Sequence, residues 1–509
     1  MNFSQEDIQQ IKAQGISLAE IEEQIDNFVK GFEFMNLDRP ATIGDGIKTF
    51  SDREIDDFAT YYKSGKLNLK VMKFVPSSGA ATRMMKDLYT FVNEYKDESL
   101  TPLTSFPSAE KVITHIEDFA FYSLLKEKMK NNDIDLEKTL EKQDYKTIIE
   151  FILLEKGLNY GKSPKAWILF HKQGKQALTP FEEHLLEAAH YCACKETAKI
   201  EFSILEEHRE GFEQLKKELV PKYEELFNIK YDISFSYQQH STDTIAVDMD
   251  NNPIHTKDRK LLFRPAGHGA LIENINKLSA DIIFIKNIDN VCSKYREETY
   301  KYKEFLGGVL LFLQKEIFSL QEQLSKKEIV KQDLILIYKT LKNKLGFLEV
   351  KSIEDFKTTK QYQAYLSKFL DRPLRVCGMV KNEGEVGGGP FFVRKDNKVS
   401  LQIVEKAQVN LNNQEQKEIF EKATHFNPVD LVVSFRKADG KKYNLLSYID
   451  KQAGFISEKS FEGQNIKAQE RPGLWNGAMS DWITIFVEVP LTTFNPVKTI
   501  TDLLKDPHL

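Results

Sequence analysis

The sequence predicts an α/β protein in which a mixed, mostly parallel sheet is covered by helices. Short apolar runs alternate with amphipathic helical segments between residues 166 and 285, and such alternation is typical of strands joined by helical crossovers. An earlier apolar run, Val71–Pro76, leads into small residues and then into a helical pattern. The 509 residues, of which 41% are hydrophobic, suffice for a large core.

Other parts of the chain have a different character. Residues 1–66 are predicted to form an N-terminal helical segment, in which Ser17 caps a helix and Glu20 completes a capping box. Residues 67–505 are predicted to form one domain with two charged, helical insertions. The insertions are expected near 96–160 and 297–370. The runs predicted as strands include 166–170, 233–237 and 282–285.

The composition limits the classes of function. A formal net charge of −5 argues against a dedicated nucleic-acid-binding protein, which would carry a basic excess. No apolar run approaches the roughly 20 residues that a membrane helix needs, and the polar N-terminus is unlike a signal peptide. The cysteines lack zinc-ligand spacing, which indicates reduced thiols in a cytoplasmic protein. They are Cys192, Cys194, Cys292 and Cys377.

The small residues after Val71–Pro76 form the first candidate site. A strand, a small-residue loop and a helix, in that order, gather backbone N–H groups around phosphates, and Arg83 adds a planar cation suited to phosphate oxygens. The loop lacks the Gly-Lys-Ser/Thr ending of a P-loop and the Gly-x-Gly-x-x-Gly of a dinucleotide fold. A turn that serves packing alone is the alternative interpretation.

Three other features are candidate ligand contacts. Lys165 precedes a predicted strand and is placed to point into a site above the sheet; an ordinary surface lysine is the alternative. A Gly-His-Gly turn at 267–269 would let the backbone approach a ligand closely. Asp289 follows the predicted strand at 282–285, at the sheet edge where ligands bind, and is suited to hold Mg²⁺. Its alternative role is to cap the next helix.

Together these motifs resemble those of the UDP-sugar pyrophosphorylases, within the sugar nucleotidyltransferases, over roughly residues 70–95 and 160–505. The N-terminal part of the resemblance lies in Thr82-Arg83, Pro164-Lys165, Gln238, 265–269 and the Asn-Ile-Asp-Asn at 287–290. The C-terminal part lies in 383–388, 401–409, Phe426-Asn427 and 494–504. The whole chain also resembles a bacterial family known by a domain-of-unknown-function label.

The resemblance implies a Rossmann-like, GT-A-like nucleotidyltransferase fold, Mg²⁺ as cofactor, and a nucleoside triphosphate and a sugar 1-phosphate as substrates. It implies that Arg83 and the loop before it bind the triphosphate, that Lys165 neutralises charge at the α-phosphate, that Lys498 contacts the phosphate of the sugar and that Asp289 holds the metal. The loop residues are Ser78, Gly79, Ala80, Ala81 and Thr82. The further nucleotide-binding residues would be Gln238, Gly267, His268 and Gly269. The sugar-binding residues would be Gly388, Glu405 and Asn427.

The loop departs from the family pattern. The usual Gly-Gly-x-Gly-Thr is here Ser78-Gly79-Ala80-Ala81-Thr82, and alanine restricts any position that needs a positive φ. The departure bears on the shape of the loop and on whether it supports turnover.

The predicted activity is transfer of a nucleoside monophosphate, from UTP by the resemblance, to a sugar 1-phosphate with release of pyrophosphate. The attacking phosphate is already anionic, so catalysis would rest on positioning and on neutralising charge by Arg83, Lys165, Lys498 and Mg²⁺. The altered loop supports an alternative, a non-catalytic protein that binds a nucleotide or nucleotide sugar on the same fold.

The motifs give less support to two other classes of enzyme. A transferase that consumes a nucleotide sugar commonly uses an Asp-x-Asp metal motif, and Asp248-Met249-Asp250 has that form. Because it adjoins Asn251-Asn252-Pro253, a polar turn is the alternative there. A serine hydrolase is not indicated, because the sequence has no Gly-x-Ser-x-Gly elbow.

Overall fold

In a computed structural model of the chain, the described residues are 3–79, 81–97, 100–174, 176–327, 329–384, 387–395, 398–426 and 430–509. They form two compact units, each built from separate stretches of chain. The first unit comprises Met1–Lys70, Ser236–Phe284 and Glu304–Val489. The second unit comprises Val71–Phe235, Ile285–Lys303 and Pro490–Leu509.

Strands and helices are numbered here in chain order. The strands are β1 (Leu37–Pro40), β2 (Thr42–Ile43), β3 (Gly46–Lys48), β4 (Val71–Pro76), β5 (His171–Gln173), β6 (Gln176–Leu178), β7 (Thr197–Ile204), β8 (Lys230–Tyr237), β9 (Thr244–Val247), β10 (Phe263–Arg264), β11 (Ile282–Ile285), β12 (Leu374–Lys381), β13 (Gly389–Lys395), β14 (Lys398–Val404), β15 (His425–Phe426), β16 (Leu431–Ser434), β17 (Phe455–Phe461), β18 (Gln464–Glu470) and β19 (Ile483–Glu488).

The α-helices are α1 (Gln5–Ala13), α2 (Leu18–Lys30), α3 (Asp52–Gly65), α4 (Lys86–Glu94), α5 (Pro107–Thr114), α6 (Tyr122–Lys130), α7 (Leu136–Glu141), α8 (Tyr145–Leu153), α9 (Pro180–Glu187), α10 (Arg209–Phe227), α11 (Ile272–Lys277), α12 (Arg296–Leu324), α13 (Lys331–Lys339), α14 (Thr359–Leu370) and α15 (Gln414–Glu421). Within the described residues, no helix combines the length and apolar character that crossing a membrane demands.

The first unit carries a mixed sheet in the order β2-β3-β19-β12-β16. Its first four strands are parallel to one another, and β16 is antiparallel to β12. All residues of β12 except the last are buried, as expected for a strand that is covered on both faces. Two smaller antiparallel sheets, β10-β9-β18-β17 and β1-β13-β14, also belong to this unit, and β15 pairs with β12.

Ser17 caps α2 in the first unit as predicted, but the predicted capping box is not formed, because the Glu20 carboxylate binds elsewhere. The Ser17 hydroxyl accepts a hydrogen bond from the Glu20 backbone N–H at 3.2 Å. The Glu20 carboxylate accepts from Arg471 at 2.9 Å, an ion pair to a distant stretch of chain that local sequence could not indicate. The apolar faces of α1 and α2 pack on Ile245 and Val247 of β9.

The second unit is built on β4 and β7, which are parallel, with β8 beside β7. The chain that follows β11 runs along β4, because Lys286 N–H donates to the Phe74 carbonyl and Ile288 N–H donates to the Pro76 carbonyl, both at 3.2 Å. Helices α4 to α8 enclose an apolar core in which Val497 is also buried. This core therefore fixes the segment that contains Lys498.

The predicted mixed α/β class with helices flanking the sheet is confirmed. The runs at 71–76 and 282–285 coincide with β4 and β11, and the run at 233–237 lies within β8. The strand predicted at 166–170 is wrong, because Lys165–Trp167 is a 3₁₀ turn. Every second side chain of the 166–170 run is apolar and buried, although the run is not paired as a strand in a sheet. These side chains are Ala166, Ile168 and Phe170. Burial alone therefore produced the alternating apolar pattern.

Candidate functional site

Asp289 anchors a cluster of charged side chains in the second unit. It lies four residues after the end of β11 and is 6% exposed. Its Oδ2 accepts hydrogen bonds from Lys165 Nζ at 2.7 Å and from Lys498 Nζ at 3.4 Å. Three residues predicted to act on phosphates and metal are therefore in contact, although they are far apart in the sequence. The capping alternative does not describe Asp289, since α12 begins only at Arg296.

Backbone hydrogen bonds fix the positions of both lysines. Lys165 Nζ also donates to the Val497 carbonyl at 2.7 Å, and Val497 N–H donates to the Asp289 carbonyl at 3.0 Å. The N–H of Lys498 donates to Asp502 Oδ2 at 2.8 Å, while its side chain is 62% exposed. Lys165 is thus a buried ion-pair partner of Asp289, whereas the ammonium group of Lys498 is exposed to solvent.

The electrostatics of Asp289 favour an ionised carboxylate. Burial alone would raise the pKa of the Asp289 carboxyl, but the ammonium groups of Lys165 and Lys498 outweigh burial and hold the pKa below its usual value. Asp289 Oδ1 is buried and has no hydrogen-bond partner among the residues that the structure describes. A buried, unpaired carboxylate oxygen is costly, and a cation is a ligand that would satisfy it.

The predicted phosphate loop connects to both lysine segments. Ala81 N–H donates to the Ser163 carbonyl at 3.1 Å, two residues before Lys165. Ile500 N–H donates to the Met84 carbonyl at 3.3 Å, two residues after Lys498. Such contacts hold the loop beside the Asp289 cluster within the second unit.

Exposure varies along this loop. Ser78 is half-buried and the Ala81 side chain is fully buried in the core, whereas Gly79, Thr82 and Arg83 are exposed. Gly79 has an ordinary backbone conformation and no atom within 4 Å of the position that a Cβ would take. The positive φ that the family's glycines would permit is therefore not used at Gly79, and Ala80 lies outside the described residues.

A second charged cluster in this unit was missed by the sequence interpretation. The carboxylate of Glu187 accepts from Lys73 Nζ and Lys286 Nζ, both at 2.6 Å, and from the Tyr191 hydroxyl at 2.7 Å. Burial lowers the pKa of Lys73 to about 8. The cluster joins β4, α9 and the chain just before Asp289. Its one sequence signal is a lysine inside the apolar run Val71–Pro76.

Gly267 and Gly269, predicted to contact the nucleotide, lie in the first unit. Gly267 has a φ of +78°, a left-handed conformation that favours glycine. A Cβ on Gly269 would lie 2.0 Å from the Pro472 carbonyl oxygen, so packing alone demands glycine there. Gln238 Nε2 donates to Asp243 Oδ1 at 3.4 Å. Their roles toward a nucleotide stay predictions.

Gly388 and Glu405, predicted for the sugar side, also lie in the first unit. A Cβ on Gly388 would lie 3.0 Å from the Glu405 Cα, so these two residues are neighbours. Glu405 Oε1 is 3.6 Å from His268 Nε2. Gly388 also lines a cavity of about 210 Å³. Other residues that line it are Asn382, Gly387, Lys406 and His425. Asn427 lies outside the described residues.

The Asp248-Met249-Asp250 stretch is a polar turn. Asp248 Oδ1 accepts from the backbone N–H groups of Asp250 at 2.9 Å and of Asn252 at 2.8 Å. One carboxylate of this Asp-x-Asp pattern is therefore committed to the turn, as the alternative interpretation expected. Within the described part of the chain, no group of three or more His, Cys, Asp or Glu side chains has the spacing of a metal site.

Comparison with solved structures gives matches at low identity. A UDP-N-acetylglucosamine pyrophosphorylase from Trypanosoma brucei is 10% identical, with a TM-score of 0.49 over 98% of this chain and 79% of that chain. A UDP-glucose pyrophosphorylase variant from Leishmania major, in complex with UDP-glucose, is 12% identical, with a TM-score of 0.42 over 98% and 77%. A UDP-glucose phosphorylase from Trypanosoma brucei is 12% identical, with a TM-score of 0.44 over 98% and 77%.

No curated protein matches the sequence significantly. A family model does match, over residues 4–509, which is almost the entire chain. The chain therefore belongs to the family described as Domain of unknown function (DUF4301).

Proposed function

We propose that this protein is a nucleotidyltransferase that transfers a nucleoside monophosphate from a nucleoside triphosphate, UTP in the first instance, to a sugar 1-phosphate. The observation that carries the proposal is the contact of Lys165 and Lys498 with Asp289 at the end of β11. Two cations and a carboxylate at a strand end suit a ligand that carries phosphates. The exposed Arg83 of the adjoining loop adds a third cation.

The proposed reaction needs no covalent intermediate on the protein. A phosphate oxygen of the sugar 1-phosphate attacks the α-phosphorus, a new P–O bond forms, and the bond to the β-phosphate oxygen breaks. Pyrophosphate leaves with that electron pair. Because the attacking oxygen is already ionised, no general base is required. The protein's contribution is to hold the two phosphates in line and to neutralise the charge that builds up.

The two lysines are proposed to have different roles. An ammonium group has three N–H donors. Lys165 commits two of them to Asp289 and Val497, so it mainly orients the carboxylate and the segment before Lys498. Lys498 commits one to Asp289 over a longer distance and is exposed, so its remaining donors are available to a phosphate.

Asp289 fits the Mg²⁺ that the proposed activity implies. Its unpartnered Oδ1 is an oxygen ligand of the kind that Mg²⁺ prefers, and Mg²⁺ bound to phosphates commonly uses only one or two carboxylates of the protein. When bound, the ion would screen charge between phosphate groups. The single carboxylate means that the phosphates themselves would supply further ligands.

The test is a pyrophosphate-release screen of nucleoside triphosphates against sugar 1-phosphates, with and without Mg²⁺. The proposal expects release with at least one pair, dependent on both substrates and on Mg²⁺. Nucleotide binding in a thermal-shift assay without release from any pair would contradict it and would favour the non-catalytic binding protein. Hydrolysis of the triphosphate without the sugar phosphate would contradict the transfer step.

A further inference from the structure

Helix α9 carries ionisable side chains in the interior of the second unit. All 8 of its residues are buried, among them His184 and three glutamates. Such side chains are seldom buried unless they are paired. Two of the glutamates are paired with residues of helices α10 and α12. The remaining two groups, His184 and Glu187, contact the residues from 286 to 288, which lead from β11 to Asp289.

Glu187 holds the side chain at the start of that segment. Its Oε1 accepts from Lys286 Nζ at 2.6 Å, and both side chains are buried. The Lys286 backbone N–H donates to the Phe74 carbonyl of β4. The Oε2 of Glu187 accepts from Lys73 Nζ, also of β4, at 2.6 Å. Glu187 therefore joins α9 both to β4 and to the lysine three positions before Asp289.

His184 holds the peptide group at the end of the segment. Its Nε2 lies 3.3 Å from the Ile288 carbonyl oxygen, which belongs to the same peptide group as the Asp289 N–H. A carbonyl can only accept, so Nε2 donates. Burial and the Lys73 ammonium hold the pKa of His184 well below its usual value, so the ring is neutral and its one proton lies on Nε2. The buried Nδ1 has no hydrogen-bond partner within the described ranges.

The backbone of Asp289 is thus held on both sides. The carbonyl before it accepts from His184, and its own carbonyl accepts from the Val497 N–H at 3.0 Å. His184 and Glu187 are three positions apart, so they lie on the same face of α9. One helix face therefore fixes the segment that presents the Asp289 carboxylate, whose Oδ1 is the oxygen without a partner among the described residues.

We propose that His184 and Glu187 are positioning residues, which hold the Asp289 carboxylate in the orientation that Mg²⁺ and phosphates require. Groups that orient a metal ligand commonly matter nearly as much as the ligand itself. The catalytic consequence rests on the proposed function, whereas the placement of Asp289 rests on the contacts of α9. A role in stability alone would instead make every buried contact of α9 equivalent.

Three variants separate positioning from stability. His184→Leu removes the donor to the Ile288 carbonyl. His184→Gln restores an N–H close to the position of Nε2 and is the conservative variant. Tyr223→Phe removes another buried hydrogen bond to α9, the one that the Tyr223 hydroxyl donates to Glu182 at 2.9 Å. Tyr223→Phe is the matched control, because its contact does not involve the residues before Asp289.

Amide hydrogen exchange measures the placement of Asp289 without any substrate. Relative to the amides of β7, the Val497 N–H should exchange about tenfold faster in His184→Leu than in the wild type. The wild-type ratio is expected for His184→Gln and Tyr223→Phe. An unchanged ratio in His184→Leu, or an equal increase in Tyr223→Phe, would overturn the proposal.

Steady-state kinetics measures the consequence for pyrophosphate release. In His184→Leu, the Mg²⁺ concentration that gives half the maximal rate should rise about tenfold to hundredfold, while KM for the sugar 1-phosphate changes less than about twofold. Tyr223→Phe should keep both values. A slower rate with an unchanged Mg²⁺ requirement would overturn the positioning role. If the wild type releases no pyrophosphate from any substrate pair, the proposed function fails, and the exchange measurement still decides the placement.

Lys286→Met tests the Glu187 contact and also serves if His184→Leu does not fold. Glu187 keeps Lys73 as its partner in this variant, so the buried carboxylate stays paired. The Val497 exchange ratio and the Mg²⁺ requirement should both rise as in His184→Leu. Lys73→Met, which removes the other lysine from the same carboxylate, should raise the Mg²⁺ requirement less than about twofold. Equal effects of the two lysine variants would overturn the role of Glu187.

Discussion

Lys165 Nζ donates a hydrogen bond to Asp289 Oδ2 across 2.7 Å, although 124 positions separate the two residues. Both side chains are largely buried, and the carboxylate also contacts the exposed Lys498. Asp289 is therefore the common partner of a buried lysine, Lys165, and of an exposed lysine, Lys498.

Lys165→Met is expected to destabilise the protein by about 3–5 kcal/mol, because breaking a buried ion pair leaves the other charge uncompensated. Denaturant unfolding measures the loss. Lys162→Met, at an exposed lysine three residues earlier, is the control and should leave stability unchanged. A loss below about 1 kcal/mol for Lys165→Met would mean that water reaches the pair.

Lys498→Met is expected to show the opposite pattern. Its side chain is 62% exposed, so its loss should change the free energy of unfolding by no more than about 1 kcal/mol. Pyrophosphate release should fall on the order of 10²–10³-fold, because a charge on the reacting phosphates is lost. Lys505→Met, which removes a comparably exposed lysine of the same segment, should retain full activity.

Acid stability should depend on Asp289. The pKa of this carboxyl is lowered in the folded protein by the two lysines, so the unfolded chain binds its proton first as pH falls. The stabilisation is fully present above about pH 4, the ordinary pKa of aspartate, and is lost as pH drops through the lower folded value. Unfolding free energies measured from pH 5 to pH 2 should fall more steeply for the wild type than for Asp289→Asn. Equal slopes would contradict the assignment.

At alkaline pH, Lys73 should dominate the change in stability. Burial lowers its pKa to about 8, below the ordinary value of 10.5, so the unfolded chain holds more protons between these two values. Stability should therefore rise with pH across that interval. Lys73→Met should flatten the rise, because the variant lacks the ammonium group that titrates, while Glu187 keeps Lys286 as its partner. Denaturant unfolding between pH 7 and pH 10 checks this, and an unaltered slope in the variant would rule it out.

The glycines of the predicted site should not respond alike. Gly269→Ala is expected to cost about 1–3 kcal/mol, because the new Cβ would lie 2.0 Å from a backbone oxygen of Pro472. Gly79→Ala meets no neighbour within 4 Å and should change stability by less than about 0.5 kcal/mol. Thermal unfolding distinguishes the two. Equal stability of both variants would show that the Pro472 backbone yields easily.

The fold class could be predicted from the sequence because the spacing of apolar residues reports which side chains are buried. The run Val71–Pro76 and the run at 282–285 are fully apolar or nearly so, and both are strands. The same signal failed at Ile168 and Phe170, which are buried without joining a ladder. An apolar pattern reports that side chains are buried. A strand and a buried turn can produce the same pattern.

The sequence predicted individual residues of the candidate site but not the contacts between them. Motif order pointed to Lys165, Asp289 and Lys498, but their mutual contact depends on long-range packing of the segment around Val497. The Glu187 cluster was missed, because a lone acidic residue on a helix has no distinguishing pattern. The His268 and Glu405 pair was predicted as two separate contacts, and its closeness appears only in three dimensions.

The central claim is that the Asp289 cluster performs phosphate transfer, and one measurement tests it most directly. Steady-state pyrophosphate release is compared for wild-type protein and Asp289→Asn, both shown to be folded, with the best substrate pair and saturating Mg²⁺. A fall in kcat/KM on the order of 10²–10³-fold is predicted, because the variant loses the charged ligand for the metal. Full activity of folded Asp289→Asn would contradict the account.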